Sequence, residues 1–313
     1  MLEGKLLWIL VCLAWCFGQV YLEGTFEPQP GDRGRTASTV TEVQFRHAGE
    51  CPLILLPVHV NGKGPYEFIL DTGAAQTVLA AEVARELGIV STGAREGMGA
   101  GGKLTIQLGT VESLANGSAY REALSVGITD ELERIASALG TKIAGAIGYD
   151  FLKNFRVTID YTGQQLRLEQ GTLLPSPGVA VEFQMAPRKP LLIVPAEVNG
   201  HGPFQFVLDT GASASAISPE LAARLEIASA PGQTEGLGAG GSVSLSLAKL
   251  ESLRVGQAPS HGLTVIVPEM LAPLGEAVGT RLDGIAGYDY LRNFRLTIDY
   301  PQGRLILEPL CSR

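Results

Sequence analysis

The sequence predicts a mainly β protein made of two pseudo-symmetric lobes with short helices, and three observations carry that prediction. The 313 residues include 39 glycines against 10 Phe, 8 Tyr and 2 Trp, a balance that favours turns, hairpins and close backbone approaches over long helices. Segments such as LTIQL and VSLSL alternate apolar with polar residues, as half-buried strands do. Above all, the chain repeats itself. PVHVNGKGPYEFILDTGA, from Pro57, matches PAEVNGHGPFQFVLDTGA, from Pro195, at 12 of 18 positions with an offset of 138. GYDFLKNFRVTIDYTGQQLRLE, from Gly148, matches GYDYLRNFRLTIDYPQGRLILE, from Gly287, at 14 of 22 with an offset of 139, so one residue is inserted in the loop before Glu96 and Glu235. Two repeats are too few for a solenoid and leave a two-lobed body as the economical architecture.

Each element follows from local signals. Leu6 to Gly18 is a 13-residue run of apolar residues and glycine after Lys5, the size of a signal-peptide core and short of the ~20 residues a spanning helix needs. Residues 1–18 are expected to be a signal peptide, cleaved after Gly18, which implies export to a periplasmic or extracellular space. An uncleaved signal anchor running through Val20 and Leu22 is the alternative, and the one route to a membrane. Residues 19–39 lack periodicity and read as a linker or pro-segment. The first repeat is expected over residues 40–170 and the second over 179–310, joined by the linker GTLLPSPG at 171–178.

Within each repeat, β-rich runs flank Asn61-Gly62, a hairpin-turn pair, and FRVTIDY and FRLTIDY read as strands. Short helices interrupt them. SPELAARL has Ser218 as cap, Pro219 at the first helical position and Glu220 in the first turn. AAEVARELG ends at Gly88, a C-terminal stop, and TDELERIASALG and PEMLAPLGEAVG also fit helices.

Composition narrows the chemistry. With 45% apolar and 18% charged residues the chain can bury a core, and a net charge of −8 gives no support for a nucleic-acid partner. Cys12, Cys16, Cys51 and Cys311 and the scattered His47, His59, His201 and His261 show no metal-ligand spacing, so no metal or cofactor is expected. Signal cleavage would leave Cys51 and Cys311, which could pair in an oxidising compartment or remain thiols.

The constellation that carries chemistry is Asp-Thr-Gly at the end of an apolar run, present once per repeat as Asp71-Thr72-Gly73 and Asp209-Thr210-Gly211. A carboxylate at the end of a buried strand needs hydrogen-bond partners, the threonine hydroxyl can bond backbone or the opposing copy, and glycine leaves room for a second backbone. One such tripeptide is most simply a turn. Two in equivalent contexts are different, because a two-fold relation would bring the carboxylates together.

ILDTGAAQTVLA and VLDTGASASAIS resemble the active-site strand and turn of the aspartic proteases, specifically the retropepsin-like branch. Ala146-Ile147-Gly148 and Ile285-Ala286-Gly287 resemble that family's later apolar-apolar-Gly segment. The resemblance covers both repeats. It implies two pseudo-symmetric retropepsin-like β-barrel lobes with an active site between them in a single chain, an intramolecular pseudo-dimer with Asp71 and Asp209 as the catalytic pair, Thr72, Gly73, Thr210 and Gly211 supporting the turns, and a peptide or protein substrate. A monomer is expected, and pairing of repeats between chains and a non-catalytic peptide-binding protein of the same fold are the alternatives. Two adjacent carboxylates share a proton, so one can act as general base on a water and the other as acid.

Ala74 and Ala212 stand where pepsin-like enzymes commonly have Ser, which removes one stabiliser of the ionised form and predicts a weakly acidic to neutral pH optimum. Gly97–Gly102 and Gly236–Gly241 match G-x-G-x-x-G, but alternating strands rather than helices follow, which argues against nucleotide binding. In the family context they resemble flaps, with Gly99, Ala100, Gly101, Gly238, Ala239 and Gly240 placed to close over an extended peptide; the pepsin flap tyrosine has no counterpart. Asp150, Asp160, Asp289 and Asp299 also recur, at turns or strand ends, and read as structural, while Asp283 has only Ala144 as its mate.

Overall fold

The computed structural model describes residues 39–171, 173, 178–230 and 232–310, together with the backbone of Trp8–Leu10. The greater part of the expected signal peptide, nearly all of the 19–39 segment, most of the 171–178 linker and Cys311 lie outside the described residues. So does any pairing of Cys311 with Cys51, which is itself buried, its thiol pushed up to about 11 by burial.

The protein is mainly β, and three sheets account for the strands. In the N-terminal lobe Lys63–Leu70 pairs antiparallel with Cys51–Val60 through the Asn61-Gly62 turn, where both residues take positive φ (51° and 73°), as a two-residue hairpin requires. On its other side Lys63–Leu70 pairs parallel with Gly145–Ile147. That short strand leads through Val78–Ala80 to the long hairpin Gly102–Asn116/Ala119–Thr129 and the outer strand Gly93–Gly99. The C-terminal lobe repeats the plan with His201–Leu208, Leu192–Val198, Gly284–Ala286, Ala216–Ile217, Ala258–Pro268, Gly241–Val255 and Thr234–Gly238. Its sheet reaches nine strands because Gln184–Met185 and Trp8–Leu10 add to its two edges, the latter parallel to Thr234–Gly238.

The helices occupy equivalent places in the two lobes. Ser218 caps Pro219–Arg224 by accepting from Leu221 N–H at 3.1 Å, and Ala81–Glu86 is its mate. Glu131–Leu139 and Leu271–Val278 each stop at a left-handed glycine, Gly140 and Gly279. Two further helices, Tyr149–Leu152 and Tyr288–Leu291, are a single turn each, too short to leave a periodic signal in the sequence.

The third sheet joins the lobes. Its six strands run Ala180–Glu182, Arg304–Pro309, Phe294–Asp299, Arg156–Asp160, Gln165–Gln170, Thr39–Gln44. At its centre Arg156–Asp160 and Phe294–Asp299, the strands read from FRVTIDY and FRLTIDY, pair antiparallel with Thr158 opposite Thr297. Arg156 meets Asp299 across this seam, Nε and Nη2 lying 2.9 and 2.8 Å from Oδ2. Both side chains are almost wholly buried. Asp299→Ala would strand a guanidinium without its counter-charge, and a loss of about 3–5 kcal/mol is expected. Equilibrium denaturation measures it; a change below about 1 kcal/mol would show that the pair contributes little to joining the lobes.

Asn116, the acceptor position of a glycosylation-type Asn-Gly-Ser, is fully buried and donates from Nδ2 to Pro57 O at 2.9 Å, so it is not available to a glycan in the folded chain.

Candidate active site

Each lobe delivers one aspartate to the seam by the same route. Phe68-Ile69-Leu70 and Phe206-Val207-Leu208 are completely buried, so the strands they end run through the core and open their last carboxylate toward the other lobe. The main chain is fixed there: Asp71 N–H donates to Ile147 O at 3.0 Å and Asp209 N–H to Ala286 O at 3.1 Å. Each carboxylate then folds back on its own turn, Gly73 N–H reaching Asp71 Oδ1 at 2.9 Å and Gly211 N–H reaching Asp209 Oδ1 at 2.8 Å.

The threonines bind the two turns to each other. Thr72 Oγ1 donates to Leu208 O at 2.9 Å and accepts from Thr210 N–H at 3.0 Å. Thr210 Oγ1 returns the pattern, donating to Leu70 O at 2.8 Å and accepting from Thr72 N–H at 3.1 Å. Four crossed bonds in a water-excluded place thus fix the position of one turn relative to the other, so each hydroxyl uses both its donor and an acceptor site. Neither Gly73 nor Gly211 needs a left-handed backbone; what each supplies is space. A Cβ on Gly73 would lie 2.7 Å from both carboxylate oxygens of Asp209, and one on Gly211 would lie 2.6 Å from Asp71 Oδ1. Each carboxylate therefore packs against the opposite lobe's glycine.

Asp71 and Asp209 are both 0% exposed, which decides their electrostatics. Burial first, and then the negative charge of Asp209, hold the Asp71 carboxyl well above the usual carboxylate range, only partly opposed by the Gly73 N–H. Two carboxyls in this state retain a proton between them at pH values where isolated aspartates have lost theirs.

Behind the turns, a second pair of carboxylates holds the frame. Asp150 Oδ1 accepts from Thr77 N–H, Thr77 Oγ1 and Phe151 N–H at 2.7 to 2.9 Å. Asp289 Oδ1 accepts from Ser215 N–H, Ser215 Oγ and Tyr290 N–H at 2.6 to 2.9 Å. Gly148 and Gly287 sit against the backbone that follows the two Asp-Thr-Gly turns, where a Cβ would come 2.8 Å from Ala74 O and 2.4 Å from Ala214 O. Asp160 accepts from Gly163 N–H within its own turn, and Asp283 accepts from Gln205 N–H and the Arg281 guanidinium. Among the described residues, no group of three His, Cys, Asp or Glu side chains is placed to hold a metal.

A family model described as aspartyl protease matches residues 56–151 and 194–290, once in each repeat and across both Asp-Thr-Gly turns. The chain belongs to the aspartyl protease family. A search of curated protein sequences returns no match. Among solved structures the chain is similar to the crystal structure of a retropepsin-like aspartic protease from Rickettsia conorii, at 16% identity over 45% of this chain and 99% of that one, with a TM-score of 0.31.

In this member of the aspartyl protease family the two glycine-rich hairpins meet at their tips. Gly101 N–H donates to Ala239 O at 2.8 Å, and Gly99 and Gly238 pack so closely on the facing tip that a Cβ would lie 2.1 Å from Ala239 O and 2.7 Å from Gly101 N. All six residues read from the sequence as flap positions, Gly99, Ala100, Gly101, Gly238, Ala239 and Gly240, fall at this junction.

Two features of the site escaped sequence reasoning. Tyr161 and Tyr300, at the ends of the seam strands, are buried, and their phenols are pushed upward, by burial foremost. Neighbouring Tyr288 and then the charge of Asp209 add to the effect on Tyr161, as Tyr149 and then Asp71 do on Tyr300. They stay neutral, Tyr161 meeting Tyr288 and Tyr300 meeting Tyr149 edge to face. Their recurrence in IDY of both repeats was the available signal. The second feature is the pair Glu131 and Arg134, whose partners are backbone atoms more than a hundred residues away.

Proposed function

We propose that this chain is an exported aspartic endopeptidase, active within one polypeptide, which hydrolyses peptide bonds with a water activated by Asp71 and Asp209. The observation that carries the reading is the crossed threonine arrangement: it presents two buried carboxylates, each against the other lobe's glycine, with the Asp71 carboxyl held well above the usual carboxylate range. The ionised member takes a proton from the water as it attacks the scissile carbonyl, while the protonated member donates to the carbonyl oxygen. Collapse of the tetrahedral intermediate breaks the C–N bond, the leaving nitrogen receives a proton from the pair, and the products are a carboxylic acid and an amine. The paired hairpins would cover an extended peptide, offering backbone donors and acceptors. The apolar stretch from Leu6 to Gly18 supports export.

The test is incubation of the chain with a mixed-sequence peptide library and identification of products by mass spectrometry. Pepstatin-sensitive cleavage that disappears in Asp71→Asn and in Asp209→Asn is expected. Equal turnover by wild type and variants, or none by any of them, would sink the proposal. A dyad held above the carboxylate range stays singly protonated toward neutral pH, so the rate should peak in weakly acidic to neutral solution. A rate profile peaking below about pH 3 would contradict it.

A further inference from the structure

The two hairpin tips are alike in sequence but differ in how they are held. Glu131 Oε2 accepts from Gly240 N–H at 2.9 Å, and Arg134 Nη2 donates to Gly238 O at 2.8 Å. Both residues project from one turn of the helix Glu131–Leu139 in the N-terminal lobe, and they form an ion pair with each other. The C-terminal tip is thus bonded on both sides of its turn to the opposite lobe, by charge-assisted bonds of the stronger kind. Gly240 takes φ of +95° there, a conformation that suits glycine.

The reciprocal arrangement is missing. The offset of 139 puts Met270 at the mate of Glu131 and Pro273 at the mate of Arg134. A thioether and a pyrrolidine ring offer neither a strong acceptor nor a side-chain donor. The strand leading to the N-terminal tip does pack on Leu271–Val278, but among the described residues no side chain hydrogen-bonds Gly99, Ala100, Gly101 or Gly102. Instead Ala100, Gly101 and Gly102 border a cavity of about 390 Å³ whose wall includes Met270, Ser244 and Leu245. The inter-tip hydrogen bond of the N-terminal hairpin, Gly101 N–H to Ala239 O, runs to the tip that is already held.

We propose that Glu131 and Arg134 are positioning residues that clamp the C-terminal hairpin, so that an extended peptide enters the cleft by movement of the N-terminal hairpin alone. The proposal deepens the protease reading and rests on it for the identity of what enters; the clamp itself is read without substrate. Residue-resolved amide exchange on the ligand-free protein measures it. In the wild type Gly240 N–H should exchange at least about tenfold more slowly than Gly101 N–H, and Glu131→Ala with Arg134→Ala should erase that difference while Ile298, in the seam, keeps its protection. Arg134→Lys, which retains a donor and the charge, should keep most of it. If the double variant loosens Ile298 as well, Glu131→Ala alone decides, since it removes the acceptor of Gly240 N–H and leaves Arg134 in place: selective acceleration at Gly240 supports the clamp and its absence overturns it. Equal exchange of Gly101 and Gly240 in the wild type would overturn it outright. Exchange that behaves as expected in a chain that cuts no peptide would leave the clamp standing and remove the protease reading.

Discussion

Asp71→Asn is expected to lower kcat by at least about 10³-fold while making the folded chain more resistant to heat at neutral pH. The two effects share a cause. Asn keeps the Oδ1 that accepts from Gly73 N–H and places a donor where Asp71 faces Asp209, so like-charge repulsion in a buried place gives way to a hydrogen bond. The proton that one member must hold and pass on is lost with it. The pH dependence follows from the upward shift of Asp71. Below the unfolded value near ~4 both states are protonated and the wild type has its full stability from this group. As pH rises from there toward the folded value, the unfolded state releases a proton that the folded state still holds, so stability falls until the folded value is passed. The variant lacks that component. Thermal unfolding of both chains at about pH 4 and pH 7 should therefore show a gap that widens with pH; a gap that is constant or narrows would mean that the dyad is not strained by its charge.

Gly211→Ala should cost at least about a hundredfold in kcat with a smaller change in KM. The added methyl would lie 2.6 Å from Asp71 Oδ1, closer than real contacts allow, and that oxygen is already committed to Gly73 N–H. Moving the carboxylate away breaks the bond; moving the turn strains the four crossed threonine bonds. A stability loss of about 1–3 kcal/mol should accompany the kinetic defect, as for other insertions into tight packing. Steady-state kinetics with a cleaved library peptide and denaturant unfolding would measure the two. Retention of kcat within about threefold would show that the carboxylate pair tolerates displacement and that its placement is not set by the opposing glycine.

Much of this site could be read from the chain because the repeat supplies a second copy of every local signal. Asp71 and Asp209 stand out only together, and the mainly β texture, the Asn61-Gly62 turn and the Ser218 cap follow from rules that act over a few residues. What stayed hidden depends on long-range placement. The single-turn helices at Tyr149 and Tyr288 have no room for periodicity. The crossed partners of Thr72 and Thr210 are main-chain carbonyls, which carry no sequence identity. Glu131 and Arg134 carry no local signal beyond lying on a helix, and comparing the repeats hides them because their mates are Met270 and Pro273. Sequence symmetry exposes what the halves share and obscures what only one of them does.

The seam strands carry a further implication. Arg156 and Arg295 are mates in the two repeats, as are Asp160 and Asp299, and the antiparallel register sets the first residue of one strand against the last of the other. Each strand is in this sense a charge palindrome: laid against a second copy of itself in the same register, it would again oppose arginine to aspartate. Specificity for its true partner therefore does not come from this ladder. It comes from tethering, since the other half is always at hand, and from asymmetric contacts elsewhere, so the chain's own connectivity is what keeps a self-matching edge from choosing the wrong mate.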